Sequence, residues 1–287
     1  MLDDKVKTFA RRRGLLRASA GLAAGLVLAP WAAVSHAGDA ADLRATYDAM
    51  AGRLAAGALG LPIVIDSVES AAQLSGSVFA ISKHPFATVA ASFARPQVWC
   101  DVMLLPFNSR SCQLDNNQAG PELLLTLTRK NADDASQGHP LRLDWRKTSS
   151  DPDYLEVHLG SESGPLGTAN YMIVLRAISL PQNRSFMHFT FALRFGTAAR
   201  LATQAYLATA GRSKVGFSVV GSPAGEQLVG GMRGIVERNA MRHFLGIEAW
   251  LNSSRLPAAQ QLDARQENWF DATERYPRQL HEMDKAT

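Results

Sequence analysis

The spacing of apolar positions changes period twice along this chain. Leu43, Tyr47, Met50 and Leu54 recur at helical intervals, which predicts a helix over 41–58 that ends before Pro62. The period then falls towards two. Strands are expected over 63–69 and 75–82, with turn chemistry near Ser75-Gly76. His84-Pro85 stops the second strand, and Pro85 suits the start of a helix, where its missing N–H costs nothing. Pro96 opens a second short helix that runs through Trp99 to Leu105. Six strands follow, over 110–116, 121–130, 141–148, 154–161, 170–180 and 185–195. Turn residues separate them at Asn116-Asn117, Asn131-Ala132-Asp133-Asp134, Asp151-Pro152-Asp153, Ser163-Gly164-Pro165 and Pro181-Gln182-Asn183, and this predicts an antiparallel meander.

The last third returns to helical spacing. Thr197 can cap a helix that reaches Ala210 and ends at Gly211. A short strand over 215–220 and a long helix over 229–252 come next. Met232, Ile235, Val236, Ala240, Phe244 and Leu251 form the apolar stripe of that helix. Arg233, Glu237, Arg238 and Arg242 form its wet face, with Arg233 and Glu237 spaced for an ion pair. Another helix is expected over 257–275, and the tail beyond Pro277 is polar.

Alternation sorts the two faces of the sheet. Leu123, Leu125 and Leu127 share a face. Leu141, Leu143 and Trp145 make the matching set on the next strand, then Leu155, Val157 and Leu159, then Met187, Phe189, Phe191, Leu193 and Phe195. These sets should point at the long helix. The opposite face carries Arg142, Asp144, Arg146, Glu156, His158, His188, Thr190 and Arg194. That group reads as a ladder of cross-strand ion pairs on a wet face rather than a catalytic constellation. Exposed pairs of this kind contribute only ~0–1 kcal/mol each.

The first 37 residues change the charge argument. Lys5, Lys7, Arg11, Arg12, Arg13 and Arg17 precede the apolar run Gly21–Ala29, and Ser35 and Ala37 stand where a cleavage site before Gly38 wants small residues. Arg12-Arg13-Gly14-Leu15-Leu16-Arg17 resembles a twin-arginine signature. An ordinary secretory signal and an uncleaved anchor are the alternatives. Pro30 breaks the apolar run well short of the roughly 20 residues a spanning helix needs. The signal holds six of the 30 Lys+Arg and two of the 26 Asp+Glu, which leaves 24 of each in the mature chain. The net charge of +4 therefore belongs to the signal, and no basic footprint for nucleic acid remains.

The two cysteines, Cys100 and Cys112, can close a disulfide in an oxidising compartment; two buried thiols are the alternative. No CxxC, HExxH, GxSxG, GxGxxG or P-loop is present, so no metal, cofactor or catalytic residue is assigned.

The order strand, two short helices, six antiparallel strands, long helix resembles the helix-grip fold of the START-like superfamily. Its members include lipid-transfer, polyketide-cyclase and coenzyme-Q-binding proteins. The resemblance covers residues 62–252 and includes the Val78-to-Pro85 strand that leads into the helix pair ending at Trp99-Cys100-Asp101. The chain also resembles an uncharacterised exported proteobacterial family through His84-Pro85-Phe86, Gly164-Pro165-Leu166-Gly167, Tyr206-Leu207-Ala208-Thr209-Ala210-Gly211 and Glu274-Arg275-Tyr276-Pro277. That family brings no activity with it.

The resemblance implies an α+β fold in which a curved antiparallel sheet wraps a long C-terminal helix, with extra helices at both ends. Residues 1–37 are the signal and 38–61 an N-terminal helix. The START-like domain is 62–255, interrupted by an insertion at 197–228, and 256–287 form a C-terminal helix and tail. The implied cavity is apolar. His84, Trp99, Trp145, Tyr171, Phe191, Tyr206 and Glu237 are its candidate ligand-binding residues, with Arg176 a further polar anchor. Each has a plain structural alternative: a junction cap for His84, sheet core for Tyr171, the outer face for Arg176, helix packing for Tyr206, a pair with Arg233 for Glu237, and core for the tryptophans.

Three functions fit. The first is a periplasmic carrier or sensor of a hydrophobic, lipid-like small molecule, with the twin-arginine machinery as its partner during export. The second is a cofactor-free enzyme like the aromatase/cyclases, with a His or Tyr as acid and base. The third is an interaction protein that docks through its sheet face or the 197–228 insertion.

Overall fold

The computed structural model describes residues 36–71, 73–106, 108–128, 138–221 and 225–283. The expected signal falls outside the described residues except for its last two, and the turn at 131–134 falls outside them altogether. Helix α1 (His36–Ala56) is followed by β1 (Ile63–Glu69) and β2 (Leu74–Ser82). Two short helices come next, α2 (Phe86–Phe93) and α3 (Pro96–Met103). Six strands follow: β3 (Ser109–Asn117), β4 (Gly120–Leu127), β5 (His139–Asp151), β6 (Tyr154–Ser163), β7 (Thr168–Leu180) and β8 (Arg184–Phe195). Helix α4 (Thr197–Ala208), the small pair β9 (Val219–Val220) and β10 (Gln227–Leu228), then α5 (Gly231–Ser253), α6 (Ala258–Glu274) and α7 (Pro277–Leu280) complete the chain. Among the described residues no helix is long and apolar enough to cross a membrane.

The eight long strands form one antiparallel sheet in the order β1-β2-β8-β7-β6-β5-β4-β3. Helix α5 lies on its inner face against β1, β2 and β8. This is the helix-grip architecture. The inner-facing leucines and phenylalanines anticipated from alternation pack in one core with Met232, Val236, Ala240, Met241 and Phe244 of α5.

Three local expectations are corrected. Gly76 is not at a turn. The turn is closed by the Ser70 N–H, which donates to the Gln73 carbonyl (2.9 Å), and Gly76 sits inside β2 opposite Ser67 and Phe191. A Cβ there would stand 2.9 Å from the Val236 carbonyl oxygen and 3.3 Å from the Ala240 Cβ. A strand glycine of this kind marks close backbone approach, and here it is where the helix touches the sheet. The N-cap of α4 is Gly196, not Thr197. The outer sheet face is also not wet throughout. Leu43 and Leu54 of α1 pack there against Val64, Phe79, Tyr154, Ile178 and Phe186.

The long helix has no wet side either. Glu237 is fully buried and Arg238 nearly so. Residues 215–218 and the tail cover them: Phe217 and Ser218 donate to Glu237, and Glu282 pairs with both Arg238 (2.7 Å) and Arg242. Amphipathic spacing suggested solvent, but later chain supplies the partners.

Cys100 on α3 and Cys112 on β3 are joined in a disulfide, with a Cα–Cα distance of 5.3 Å. It ties the short helices to the edge strand. Urea unfolding with and without reductant should differ by about 3 kcal/mol, the loop-closure value for a bridge of this span. Equal midpoints would show that the bridge constrains nothing.

Candidate functional site

The core is not completely filled. Between the inner sheet face and α5 lies a cavity of about 120 Å³. Its walls come from alternate residues of four strands: Leu125 and Leu127 of β4, Leu141 and Leu143 of β5, Tyr171 and Ile173 of β7, and Phe191 and Leu193 of β8. Met103 closes it from α3. Asn239, Arg242 and His243 of α5, with Asn108 and Ser109 at the start of β3, supply the polar part of its wall.

His243 is the group in this wall with chemistry to offer. Its ring stacks on Phe191 (centroids 5.3 Å, planes 14° apart) and lies parallel to Phe189 at 6.4 Å. Nδ1 lies 2.8 Å from the Asn239 carbonyl, so Nδ1 carries the proton and donates it. Among the described residues Nε2 has no hydrogen-bond partner, and it is left as an acceptor. Burial lowers the His243 pKa to about 4, with Arg242 adding to the effect and the Asn239 contact opposing it. The imidazole is therefore neutral at pH 7. Arg242 is brought down to about 10 by burial against the pull of Glu282.

Tyr171 stands at the exit. It is shared by the cavity and by a larger groove of about 790 Å³, as are Asn108 and Leu127. The groove runs between α4 (Ala198, Ala199, Ala202, Thr203, Tyr206) and the turn at Pro165-Leu166. The Thr168 hydroxyl donates to the Pro165 carbonyl (2.5 Å) and accepts from the Tyr171 hydroxyl (2.8 Å), which fixes the ring. Gly164 makes room for it, since a Cβ there would come within 2.3 Å of the Tyr171 ring. Gly211 seats Tyr206 in the same way, at 2.6 Å. Burial pushes the Tyr171 hydroxyl up, so it stays protonated.

The residues singled out from sequence divide accordingly. Tyr171 and Phe191 line the cavity and Tyr206 lines the groove. The others lie elsewhere. Trp99 is entirely core and donates to the Phe93 carbonyl at 3.0 Å. Trp145 packs at the edge of the core with its Nε1 unpartnered. His84 meets Asn252 across the strand–helix junction (Nε2···Oδ1 3.2 Å). Glu237 does not pair with Arg233. It accepts from the Ser67 hydroxyl (2.5 Å) and from the backbone N–H groups of Phe217 (2.6 Å) and Ser218 (2.8 Å), while Arg233 donates to Ser67 instead (2.9 Å). Asn239, Arg242 and His243 were missed. The available signal was the Asn239–His243 pair, four apart and directly beside Ala240 and Phe244 of the apolar stripe.

The outer face holds a second ionisable group of residues. Glu156, 8% exposed, accepts from Tyr154, His158 and Arg176, the last at 3.1 Å. The His158 hydrogen bond, then Tyr154 and Arg176, hold its carboxyl near 2 against the cost of burial. A carboxylate with three donors and so low a pKa is a poor base at neutral pH. His188 stacks on Phe79 at 4.3 Å, and burial lowers its pKa to about 4.

These values set the acid behaviour. Between pH 6.5 and 4 the unfolded chain binds protons at His243 and His188 that the folded chain refuses. Stability should therefore fall as pH drops through that window, by up to about 3 kcal/mol for each histidine. Glu156 works in a lower window, its contribution being lost from about 4.5 down to 2. His243→Phe, which keeps the stack on Phe191, should roughly halve the loss across the upper window, leaving the share of His188. Urea unfolding at a series of pH values reads this directly, and an unchanged slope would contradict the assignment.

No family profile matches the chain, and no curated protein does. Among solved structures, the chain is similar to the ZhuI aromatase/cyclase from Streptomyces sp. R1128, at 11% identity and a TM-score of 0.34 over 69% of this chain and 94% of that one. It is similar to norcoclaurine synthase from Thalictrum flavum, at 11% identity and a TM-score of 0.33 over 53% and 89%. A protein from Arthrobacter aurescens gives 14% and 0.36 over 67% and 92%. The helix-grip architecture rests on the strand order and the placement of α5, not on these likenesses.

Proposed function

We propose that this protein binds a hydrophobic small molecule after export, with a ring-sized head in the cavity and a longer, lipid-like body in the groove. One observation carries the reading: a mostly apolar cavity whose wall presents the acceptor His243 Nε2 adjoins an apolar groove and shares Tyr171 with it. Volume sizes the head. An engineered cavity of about 150 Å³ accepts benzene, so 120 Å³ suits one ring or a short branched group and no more. The free acceptor favours a head that bears a hydroxyl or N–H. A periplasmic location is supported by the layout of residues 1–37 and by the Cys100–Cys112 disulfide, which an oxidising compartment favours.

Calorimetric titration with 4-hexylphenol tests the reading. Leu141→Trp fills the cavity and Ala202→Trp fills the groove; each should weaken binding by tenfold or more, on the order of the 1.4 kcal/mol per decade that lost apolar burial supplies. Affinity unchanged in both variants would refute it.

A cofactor-free, cyclase-like reaction at the same place is the second reading, favoured by the neutral His243 imidazole in the cavity wall. It expects a ligand to be altered by the protein and left intact by His243→Phe. A ligand recovered intact from both removes it.

A further inference from the structure

Four other residues of α5, Phe244, Leu245, Glu248 and Asn252, face a second pocket of about 280 Å³. It lies between α5, the β1–β2 end of the sheet and α6. Leu61, Ile63, Ala80 and Phe244 give it an apolar wall. Glu248 lines it, and Glu248 Oε1 is buried without a hydrogen-bond partner. A buried carboxylate oxygen without a donor of its own carries a desolvation cost that the Ser82 hydroxyl and Lys83 offset only in part. Burial pushes the Glu248 carboxyl up, against the opposing pull of the Ser82 hydroxyl and Lys83.

Two cations, Lys83 and Arg275, also line the pocket; both are exposed, and neither forms an ion pair among the described residues. Asp271 stands beside them. Asn252 and Asn268 complete the polar set. Asn252 Oδ1 is engaged by His84 at 3.2 Å, and Asn268 Nδ2 donates to the Ala264 carbonyl at 2.6 Å. What remains is an amide donor on Asn252 and an amide acceptor on Asn268.

The pocket therefore holds an acceptor set, Glu248 and Asp271 with Asn268 Oδ1, and a donor set, Lys83 and Arg275 with Asn252 Nδ2, beside an apolar wall. We propose that it is a binding site for a small aliphatic zwitterion of the α-amino-acid class. The ammonium group meets Glu248, the carboxylate meets Lys83 and Arg275, and the side chain lies against Leu61 and Phe244. A simple cation would leave the two basic residues unanswered, and a simple anion would leave Glu248 so.

Three probes of one skeleton test this by calorimetry on the purified protein. They are L-leucine, 3-methylbutylamine, which lacks the carboxylate, and 4-methylpentanoate, which lacks the ammonium group. Leucine should bind, and each analogue should bind about 10- to 100-fold more weakly, the span set by one lost charge-assisted hydrogen bond. Glu248→Gln should remove the preference for leucine over 4-methylpentanoate. Lys83→Ala, at an exposed position outside the core, should reduce the preference for leucine over 3-methylbutylamine. Leu141→Trp, which fills the other cavity, should leave leucine binding unchanged. No heat with leucine up to about 10 mM, equal binding of all three probes, or a preference untouched by both pocket variants would overturn the proposal.

Discussion

Gly76→Val should destabilise the fold by about 3 kcal/mol or more, the upper range for forcing volume into a packed contact, and can leave the chain unfolded. The strand cannot retreat from the added side chain, because β2 is hydrogen-bonded to β1 on one edge and to β8 on the other. The helix cannot retreat without losing its apolar stripe, since a Cβ at Gly76 meets the Val236 backbone oxygen at 2.9 Å rather than a flexible side chain. Gly52→Ala is the internal control. It lies in α1 with nothing within 4 Å of its added Cβ. That substitution should stabilise by about 0.5–1 kcal/mol through helix propensity alone. Urea midpoints for the two variants give the comparison. Equal, small effects would mean that α5 does not touch β2 as described.

Glu237→Ala should cost about 3–5 kcal/mol, since each buried donor left without an acceptor costs about 1–3 kcal/mol. Three donors lose their acceptor together: the Ser67 hydroxyl and the N–H groups of Phe217 and Ser218. Two of these belong to the backbone of the segment that covers α5. Its tight approach needs Gly216, where a Cβ would come within 2.5 Å of Glu237 Oε2. Hydrogen exchange should therefore show local as well as global loss, with the Phe217 and Ser218 amides losing protection first. Loss of global stability with these two amides still protected would place the role of Glu237 elsewhere.

Much of this architecture was legible in the residues. Period-two alternation located all six strands of the meander to within a few residues and assigned their faces, because an exposed face and a buried one impose opposite demands on neighbouring positions. Proline placed the starts of α2 and α3. Pairwise spacing did less well. Arg233 and Glu237 stand four apart on a helix, yet Ser67, distant in sequence, intervenes between them. The apparent wet face of α5 is covered by residues 215–218 and by Glu282, and nothing in the helix itself announces a cover. Gly76 looked like turn chemistry, because a glycine that admits another backbone and one that admits a positive φ read alike in sequence.

The site was less legible than the fold. Tyr171, Phe191 and Tyr206 stand at the cavity and groove. His243 passed unmarked because its partners are the Asn239 carbonyl and two phenylalanine rings from a strand some fifty residues earlier. The tryptophans drew attention by size. Size also explains why Trp99 fills the core rather than lining a space.

The claim beneath the functional reading is that the gap between Leu141, Phe191 and His243 admits the head of an apolar ligand. Crystals soaked in 4-iodophenol test it most directly, through the anomalous signal of iodine. The account predicts a ring against Phe191, its hydroxyl donating to His243 Nε2, and the iodine beside Leu127 and Tyr171 at the mouth of the groove. Iodine peaks confined to the protein surface, with the cavity empty, would contradict it.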